Sequence, residues 1–431
     1  MVNERRWLTG IFSLYIVLAF GYSVFMPIWE APDEPAHYDL AWHVARNDGF
    51  PAYEHNYESY QPPVYYYAAS LVIRALDKFN PHFSDYYLPP HQPRNLRKPL
   101  AMFHWTPENY RFLLGVYSLR WINILFGALA LWLSWKAFQL LAPEKPGLPL
   151  AGLALAALTP QFLHIASSVS NDMVGAAAGA LLFYLAIRFT KEPSNPLGLV
   201  SILLALLLPF ITKLTVLPVS AALLVIITWK WIVSLRSRKW LILSGLVALA
   251  GAGILYILFP ETIQTALSEI KWRLTGFRRN AFTSRYLKFI LSQILWTYWG
   301  KVGWLAIGLH EYIVKLLTAL GAAGLLLHAG KMIKSKATDP QFNQWLATWV
   351  IGIFTLLAVF RNALTTSAAQ GRFLFPAIGV LSILMASGWH SILPERIRHH
   401  LPLIVTLLMV SCTLILWQFG ILPAYFQPFL D

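Results

Sequence analysis

Two acids, an imidazole and a phenol stand together in Ala31-Pro32-Asp33-Glu34-Pro35-Ala36-His37-Tyr38. Pro32 and Pro35 restrict the backbone, which predicts a fixed turn leading into a helix. Pro35 would lie near the first helical position, with Asp33 or Glu34 near the cap. Either acid then lies about one turn before His37 and Tyr38, so the groups can converge. Capping accounts for one acid here, not for two acids and a histidine. Neighbouring carboxylates raise one another's pKa and suit a general base or a cation site. A second acid, in Ser170-Asn171-Asp172-Met173, sits between two long apolar runs. A carboxylate there is costly unless paired or solvated, so it is read as functional as well as a helix cap. Tyr60-Gln61-Pro62-Pro63-Val64-Tyr65-Tyr66-Tyr67 reads by itself as a turn and an aromatic belt. Gln370-Gly371-Arg372-Phe373-Leu374-Phe375-Pro376 and Lys213 place cations where an anion is the expected partner, snorkelling being the alternative. Glu311 and Lys315 have the spacing of a local ion pair.

The elements that must hold these groups are membrane helices. Of the 431 residues 57% are hydrophobic and 13% charged, with a mean hydropathy of +0.53, against about 25% charged in a soluble domain. Apolar blocks lie near 7–28, 112–141, 149–168, 172–190, 197–211, 214–233, 240–259, 309–330, 343–360, 373–393 and 401–423. At about 20 residues per crossing these predict an all-α polytopic membrane protein of about 11 spans, one domain over 1–431. Pro209 and Pro218 predict a broken or tilted helix near 197–211. The first block reads as an uncleaved signal anchor.

Orientation follows from Lys and Arg. With the N-terminus in the cytoplasm, fifteen basic residues fall on cytoplasmic segments: Arg5, Arg6, Lys136, Lys145, Arg188, Lys191, Lys230, Arg236, Arg238, Lys239, Lys331, Lys334, Lys336, Arg396 and Arg398. Only Lys213, Arg361 and Arg372 fall on the short outer connections. The outer first loop, 29–110, holds ten of the 20 acidic residues, and 35–48 and 63–79 read as amphipathic interface helices. The second large outer loop, 260–303, carries Lys271, Arg273, Arg278, Arg279, Arg285, Lys288 and Lys301 against two acids. A solvated or headgroup-facing surface is the plain reading, a phosphate site the sharper one. The formal charge of +14 belongs mostly to topology, so no nucleic-acid partner is expected. Cys412 stands alone, which excludes a disulfide scaffold and a Cys-based zinc site.

Asp33-Glu34 after the first span, the Gln61-Pro62-Pro63 stretch and Asn171-Asp172 before the fourth resemble the GT-C superfamily of membrane glycosyltransferases. Together with Trp299-Gly300-Lys301-Val302-Gly303-Trp304 and the Gln370–Pro376 stretch, they most resemble a prokaryotic, uncharacterised family of predicted membrane glycosyltransferases. Protein O-mannosyltransferases and lipid A aminoarabinose transferases are more distant likenesses. The resemblance implies a GT-C-type fold and transfer of a hexosyl or pentosyl group from a polyprenyl-phosphate donor to a hydroxyl of a glycan, lipid or protein. The reaction would run with inversion on the outer face of a prokaryotic cytoplasmic membrane. Asp33 corresponds to the catalytic acid of the first outer loop, acting as base, with Glu34 beside it, and Asp172 to the acid opening the fourth span. Lys213, Arg372, Arg278, Arg279 and Arg285 would meet the phosphate. His37, Tyr38, Gln61, Asn171 and Gln370 would contact substrate, and Glu34 and His37 would position it. Some relatives hold a divalent cation between the two acids, so Mg²⁺ or Mn²⁺ on Asp33 and Asp172 is an expectation. Aminoarabinose transferases carry an acidic-basic pair where this chain has Tyr60-Gln61, so the sugar is not carried over. The rival readings are a transporter or flippase for a lipid-linked or anionic substrate, and a non-catalytic scaffold. A transporter predicts internal repeats and mid-membrane polar groups. Here the polar groups gather at the outer surface and no repeat is visible.

Overall fold

The computed structural model describes residues 4–47, 49–51, 56, 58–79, 110–145, 147–192, 195–233, 238–258, 260–335, 341–366 and 368–426. Of the sequence expectations, the part of the first outer loop over 80–109, Arg236 and Lys336 lie outside these residues. The helices are α1 (Glu4–Phe25), α2 (Glu34–Asn47), α3 (Val64–Phe79), α4 (Tyr110–Leu141), α5 (Leu148–Leu158), α6 (Pro160–Ala166), α7 (Asp172–Lys191), α8 (Asn195–Ile211) and α9 (Leu217–Val233). They continue as α10 (Arg238–Leu258), α11 (Pro260–Thr275), α12 (Ser284–Trp299), α13 (Glu311–Ser335), α14 (Phe342–Thr365), α15 (Ile378–Ile392), α16 (Glu395–Arg398), α17 (Leu401–Leu416) and α18 (Leu422–Tyr425). One two-residue ladder, β1 (Lys301–Val302) with antiparallel β2 (Ile307–Gly308), is the only extended pairing among the described residues.

Each apolar block of the sequence is mainly helical over its described residues. Among the described residues, eight helices are long and apolar enough to cross a bilayer. The bent pair α5 and α6 makes a ninth if it is one broken span rather than a re-entrant loop, while α8 and the middle of α10 are shorter apolar helices. The bend of 59° falls at Thr159-Pro160. Pro160 disfavours a helical conformation at the residue before it, and Thr159 sits at φ −59°, ψ 121°. Its hydroxyl donates back to the Leu155 carbonyl at 2.6 Å. Pro209, where the sequence predicts a break or tilt, is accommodated inside α8.

α7 is deeply buried, with nearly every side chain from Asp172 to Thr190 shielded. Its run Gly175-Ala176-Ala177-Ala178-Gly179-Ala180 presents almost no side-chain bulk. α4 and the 3₁₀ turn Gly371–Ala377 therefore approach it closely. A Cβ at Gly179 would collide with the Pro376 carbonyl, so glycine is required there.

The first-loop helices α2 and α3 pack on each other and join the bundle through a second apolar cluster. It includes Trp29, Tyr38, Val44, Tyr65, Tyr66, Ile73, Val116 and Val174. On the opposite side of α3, Tyr67 and Leu71 are exposed, so this helix is amphipathic as the sequence predicts. α2 departs from that picture. Its residues 34–38 are all buried, because it roofs the bundle rather than floating beside it.

Candidate functional site

The turn between α1 and α2 is held in an uncommon conformation. Trp29 and Asp33 have φ of 73° and 64°, in the left-handed region that non-glycine residues seldom occupy. The turn is pinned from several sides. The Trp29 amide donates to Glu34 Oε2 at 3.0 Å, and Trp304 Nε1 donates to the Trp29 carbonyl at 2.7 Å. The Trp304 amide donates to the Glu30 carbonyl at 3.0 Å, and the Tyr425 hydroxyl to Glu30 Oε2 at 2.7 Å. Strain of this kind persists only where the surroundings over-determine it.

Glu34 faces away from the cavity that Asp33 enters. It is fully buried and accepts from Arg120 Nε at 2.7 Å and Nη2 at 2.6 Å. The same guanidinium donates to the carbonyls of Ser23 (2.7 Å), Met26 (2.8 Å) and Pro27 (3.1 Å). Glu34 also accepts from the Val169 amide at 3.0 Å. The pair therefore staples α4, the end of α1, the start of α2 and the segment before α7.

Asp33 caps α2 through its carbonyl, which accepts from the His37 amide at 3.0 Å. Its carboxylate accepts from Arg372 Nη2. Arg372 Nη1 lies 3.6 Å from Asp172 Oδ2, so one guanidinium bridges the two acids. Lys213 Nζ stands 3.0 Å from Asp172 Oδ1 and 2.5 Å from Asn171 Oδ1. Asn171 donates to Gln61 Oε1 at 3.0 Å, and Gln61 donates to Glu58 Oε2 at 2.7 Å. A continuous polar network thus runs from Asp33 to Glu58 through three separate chain segments. His37 shares a 2.7 Å hydrogen bond between its Nδ1 and the Tyr66 hydroxyl.

Asp33, His37, Glu58, Gln61, Lys213 and Arg372 line a cavity of about 280 Å³ together with Tyr60, Thr215, Arg273, Asn362, Thr366 and Gln370, while Asn171 and Asp172 stand behind that lining. Beside it runs an apolar groove of about 430 Å³, walled by Leu217, Pro218, Ala221, Leu274, Phe354 and Val359. Leu214, Thr215, Arg273, Asn362 and Phe373 line both spaces. Arg273 is held in this shared wall by Asn362 Oδ1 at 2.7 Å and Glu269 at 3.3 Å.

The protonation states differ from group to group. Burial pushes the Asp33 carboxyl up, but the charge and hydrogen bond of Arg372, with Lys213, outweigh it and hold it below the ordinary carboxylate range. Burial and then Lys213 press His37 down to about 3, so its imidazole is neutral near pH 7. Burial and then the charge of Asp33 raise Glu58 to about 7, against the opposing hydrogen bond from Gln61.

Of the residues singled out in the sequence, Asp33, His37, Gln61, Asn171, Asp172, Lys213, Gln370 and Arg372 are brought together. Glu34 is in its buried pair, and Tyr38 packs its ring against Trp29, centroids 5.5 Å apart. Arg278, Arg279 and Arg285 are exposed and do not line the cavity. Arg278 instead lies over the Tyr286 ring at 5.7 Å. Three contributors were missed. Arg120 is an arginine within an apolar block, a signal that was available in the sequence. Arg273 was one of seven similar cations, and Glu58 had no motif around it.

Among the described residues no group of three or more His, Cys, Asp or Glu is placed to hold a metal ion. Arg372 bridges Asp33 and Asp172, and Lys213 pairs with Asp172, so a Mg²⁺ or Mn²⁺ ion held by these two acids would take the place of both cations.

No family model matches the chain, and no curated protein matches it in sequence. Solved structures do match. ArnT from Cupriavidus metallidurans bound to undecaprenyl phosphate aligns with a TM-score of 0.56 at 13% identity, over 98% of this chain and 74% of that one. The apo state of the same protein gives 0.54 at 13% identity, over 97% and 73%. An Archaeoglobus fulgidus oligosaccharyltransferase in complex with Zn and sulfate gives 0.51 at 13% identity, over 95% of this chain and 53% of that one. The chain shares the fold of these proteins over nearly its whole length, the GT-C-type fold that the sequence resemblance implies.

Proposed function

We propose that this protein is a GT-C-type glycosyltransferase that moves a sugar from a polyprenyl-phosphate donor to an acceptor hydroxyl. The observation that carries the reading is the shared wall between a charged cavity and an apolar groove. A lipid-linked phosphate needs both: cations for its head and an apolar track for its chain. The ArnT structure with undecaprenyl phosphate supports the same donor class.

In the resting site each cation is matched by a carboxylate. An arriving phosphate competes with Asp33 and Asp172 for Arg372 and Lys213. Once Arg372 turns to the phosphate, Asp33 loses the charge that depresses its pKa and becomes a stronger base. It then takes the proton of the acceptor hydroxyl as that oxygen attacks the anomeric carbon. The new carbon–oxygen bond forms while the bond to phosphate breaks, and its electron pair leaves on the phosphate oxygen. Arg372 and Lys213 stabilise that developing charge. Attack opposite the leaving group inverts the anomeric centre. Gln370 Oε1 and Arg372 Nε are buried without a hydrogen-bond partner among the described residues, and both suit a substrate contact. Neutral His37, Gln61 and Asn171 fix the orientation of the charged groups. No step is routed through a divalent cation, since Arg372 supplies the positive charge between the two acids. In this reading the sugar is a hexose or pentose and the acceptor a glycan, lipid or protein. The site lies on the outer face of a prokaryotic cytoplasmic membrane, with the N-terminus in the cytoplasm.

The test is transfer of radiolabelled sugar from polyprenyl-phosphate donors in membranes carrying wild type or Asp33→Asn. Loss of transfer in a correctly inserted variant is expected. Equal transfer by both proteins removes Asp33 as the base.

A further inference from the structure

At the far end of α15 from Arg372 lies a second cavity, about 960 Å³, that the reaction does not use. Eighteen residues separate Arg372 from His390 in its lining, a distance on the order of 30 Å along helical chain. Four cations line it: Lys145 after α4, Lys331 and Lys334 near the end of α13, and Arg398 closing α16. No acidic side chain is among the lining residues. Arg398 is aimed by its Nε, which donates to the Leu393 carbonyl at 2.8 Å. Its neighbour Glu395 is 3.9 Å away and 91% exposed, so it neutralises the pocket little. Lys145 is steadied 5.7 Å above the Trp345 ring. Lys331 and Lys334 make no hydrogen bond or ion pair among the described residues. His390 and Ser391 complete the polar side, and the α13 wall is apolar, with Ala323, Leu326 and Leu327, of which Leu326 is 73% exposed.

We propose that this pocket binds an anionic phospholipid, its headgroup phosphate on the lysine-arginine rim and its acyl chains against the α13 wall. Lys331, Lys334 and Arg398 share a lining with no acidic side chain and repel one another, and a phosphate between them removes that cost. A free phosphate would use the rim and leave the apolar wall unexplained. Basic pockets between membrane helices recognise phospholipid headgroups by this chemistry, each Lys or Arg adding to the attraction. The inference is independent of the glycosyltransferase reading, since none of its residues lines the candidate active site.

The experiment uses the full chain, delipidated in neutral detergent, then offered phosphatidylcholine alone or mixed with phosphatidylglycerol. Native mass spectrometry reads which lipid is retained. Wild type is expected to retain phosphatidylglycerol selectively. Lys331→Ala with Lys334→Ala is expected to bind it about 30-fold more weakly. Lys331→Arg with Lys334→Arg keeps the charge and is expected to restore binding. Equal retention of the two lipids overturns the proposal, as does unchanged affinity in the alanine variant. Displacement of phosphatidylglycerol by millimolar inorganic phosphate assigns the rim to a soluble anion and also overturns it. Should the alanine variant fail to insert, the comparison of the two lipids on wild type still decides.

Discussion

Arg372 owes its position to a planar group with donors pointing in several directions. It reaches Asp33 and Asp172 at once, which a lysine ammonium in the same place would not do with the same geometry. Arg372→Lys is therefore expected to keep the fold and lower transfer by about 100-fold, the usual scale for losing an oriented charge-stabilising donor. Steady-state transfer, paired with binding of polyprenyl phosphate, checks both halves. Glu58 gives a pH signature of its own. Its pKa is about 7 in the folded protein against 4.5 for the free side chain, so between those values the folded state holds a proton that the unfolded state has released. Stability from this group is present at low pH and declines as pH rises through that window, by on the order of 3 kcal/mol at most. Glu58→Gln removes the decline. The thermal midpoint of the variant in detergent should accordingly gain on wild type between about pH 5 and about pH 8. A constant offset across that range would show that Glu58 does not titrate there.

The elements around the turn explain which neighbours serve chemistry and which serve structure. Asp33 and Glu34 are adjacent in sequence, yet the left-handed φ at Asp33 sends their side chains in different directions. Glu34 meets Arg120 in a pair with no solvent access. Leaving one partner of such a pair buried alone costs about 3–5 kcal/mol. Glu34→Gln and Arg120→Met should each lower the thermal midpoint sharply, whereas Asp33→Asn should leave it nearly unchanged while abolishing transfer. Similar midpoints for all three would dissolve this division. The apolar blocks were legible because a bilayer admits few ways to satisfy a backbone. Asp33, Asp172, Arg372 and Lys213 were legible because charge at those positions is costly and needs a reason. Glu34 was not, since sequence adjacency says nothing of a backbone that turns its two acids apart. Nor was Glu58, whose pKa arises from burial under a roof that only the packed α2 and α3 create. The break at Thr159 passed unread although Pro160 announces it. The apolar run continues through it, and the apolar pattern was followed.

At the scale of the whole molecule, the two cation-lined spaces sit at opposite ends of the same bundle. The one between α13 and α15 stands apart from the turn chemistry. The other is walled by the Arg372 turn, the Lys213 turn, α14 and the first-loop roof. What distinguishes the second is that its positive charges are already satisfied. This has a consequence for turnover. A polyprenyl phosphosugar is a diester with one negative charge, while the released lipid phosphate is a monoester with nearly two. A bare pair of cations would grip the spent lipid harder than the fresh one and stall after a single round. In the proposed reaction Asp172, and Asp33 once it has passed on the acceptor's proton, would reclaim Lys213 and Arg372 and so act as a tethered competitor that evicts the product. Asp172→Asn should weaken that competition. A burst of one transferred sugar per protein followed by a slow steady rate, seen in rapid-quench time courses, would mark a site that catalyses and then cannot let go.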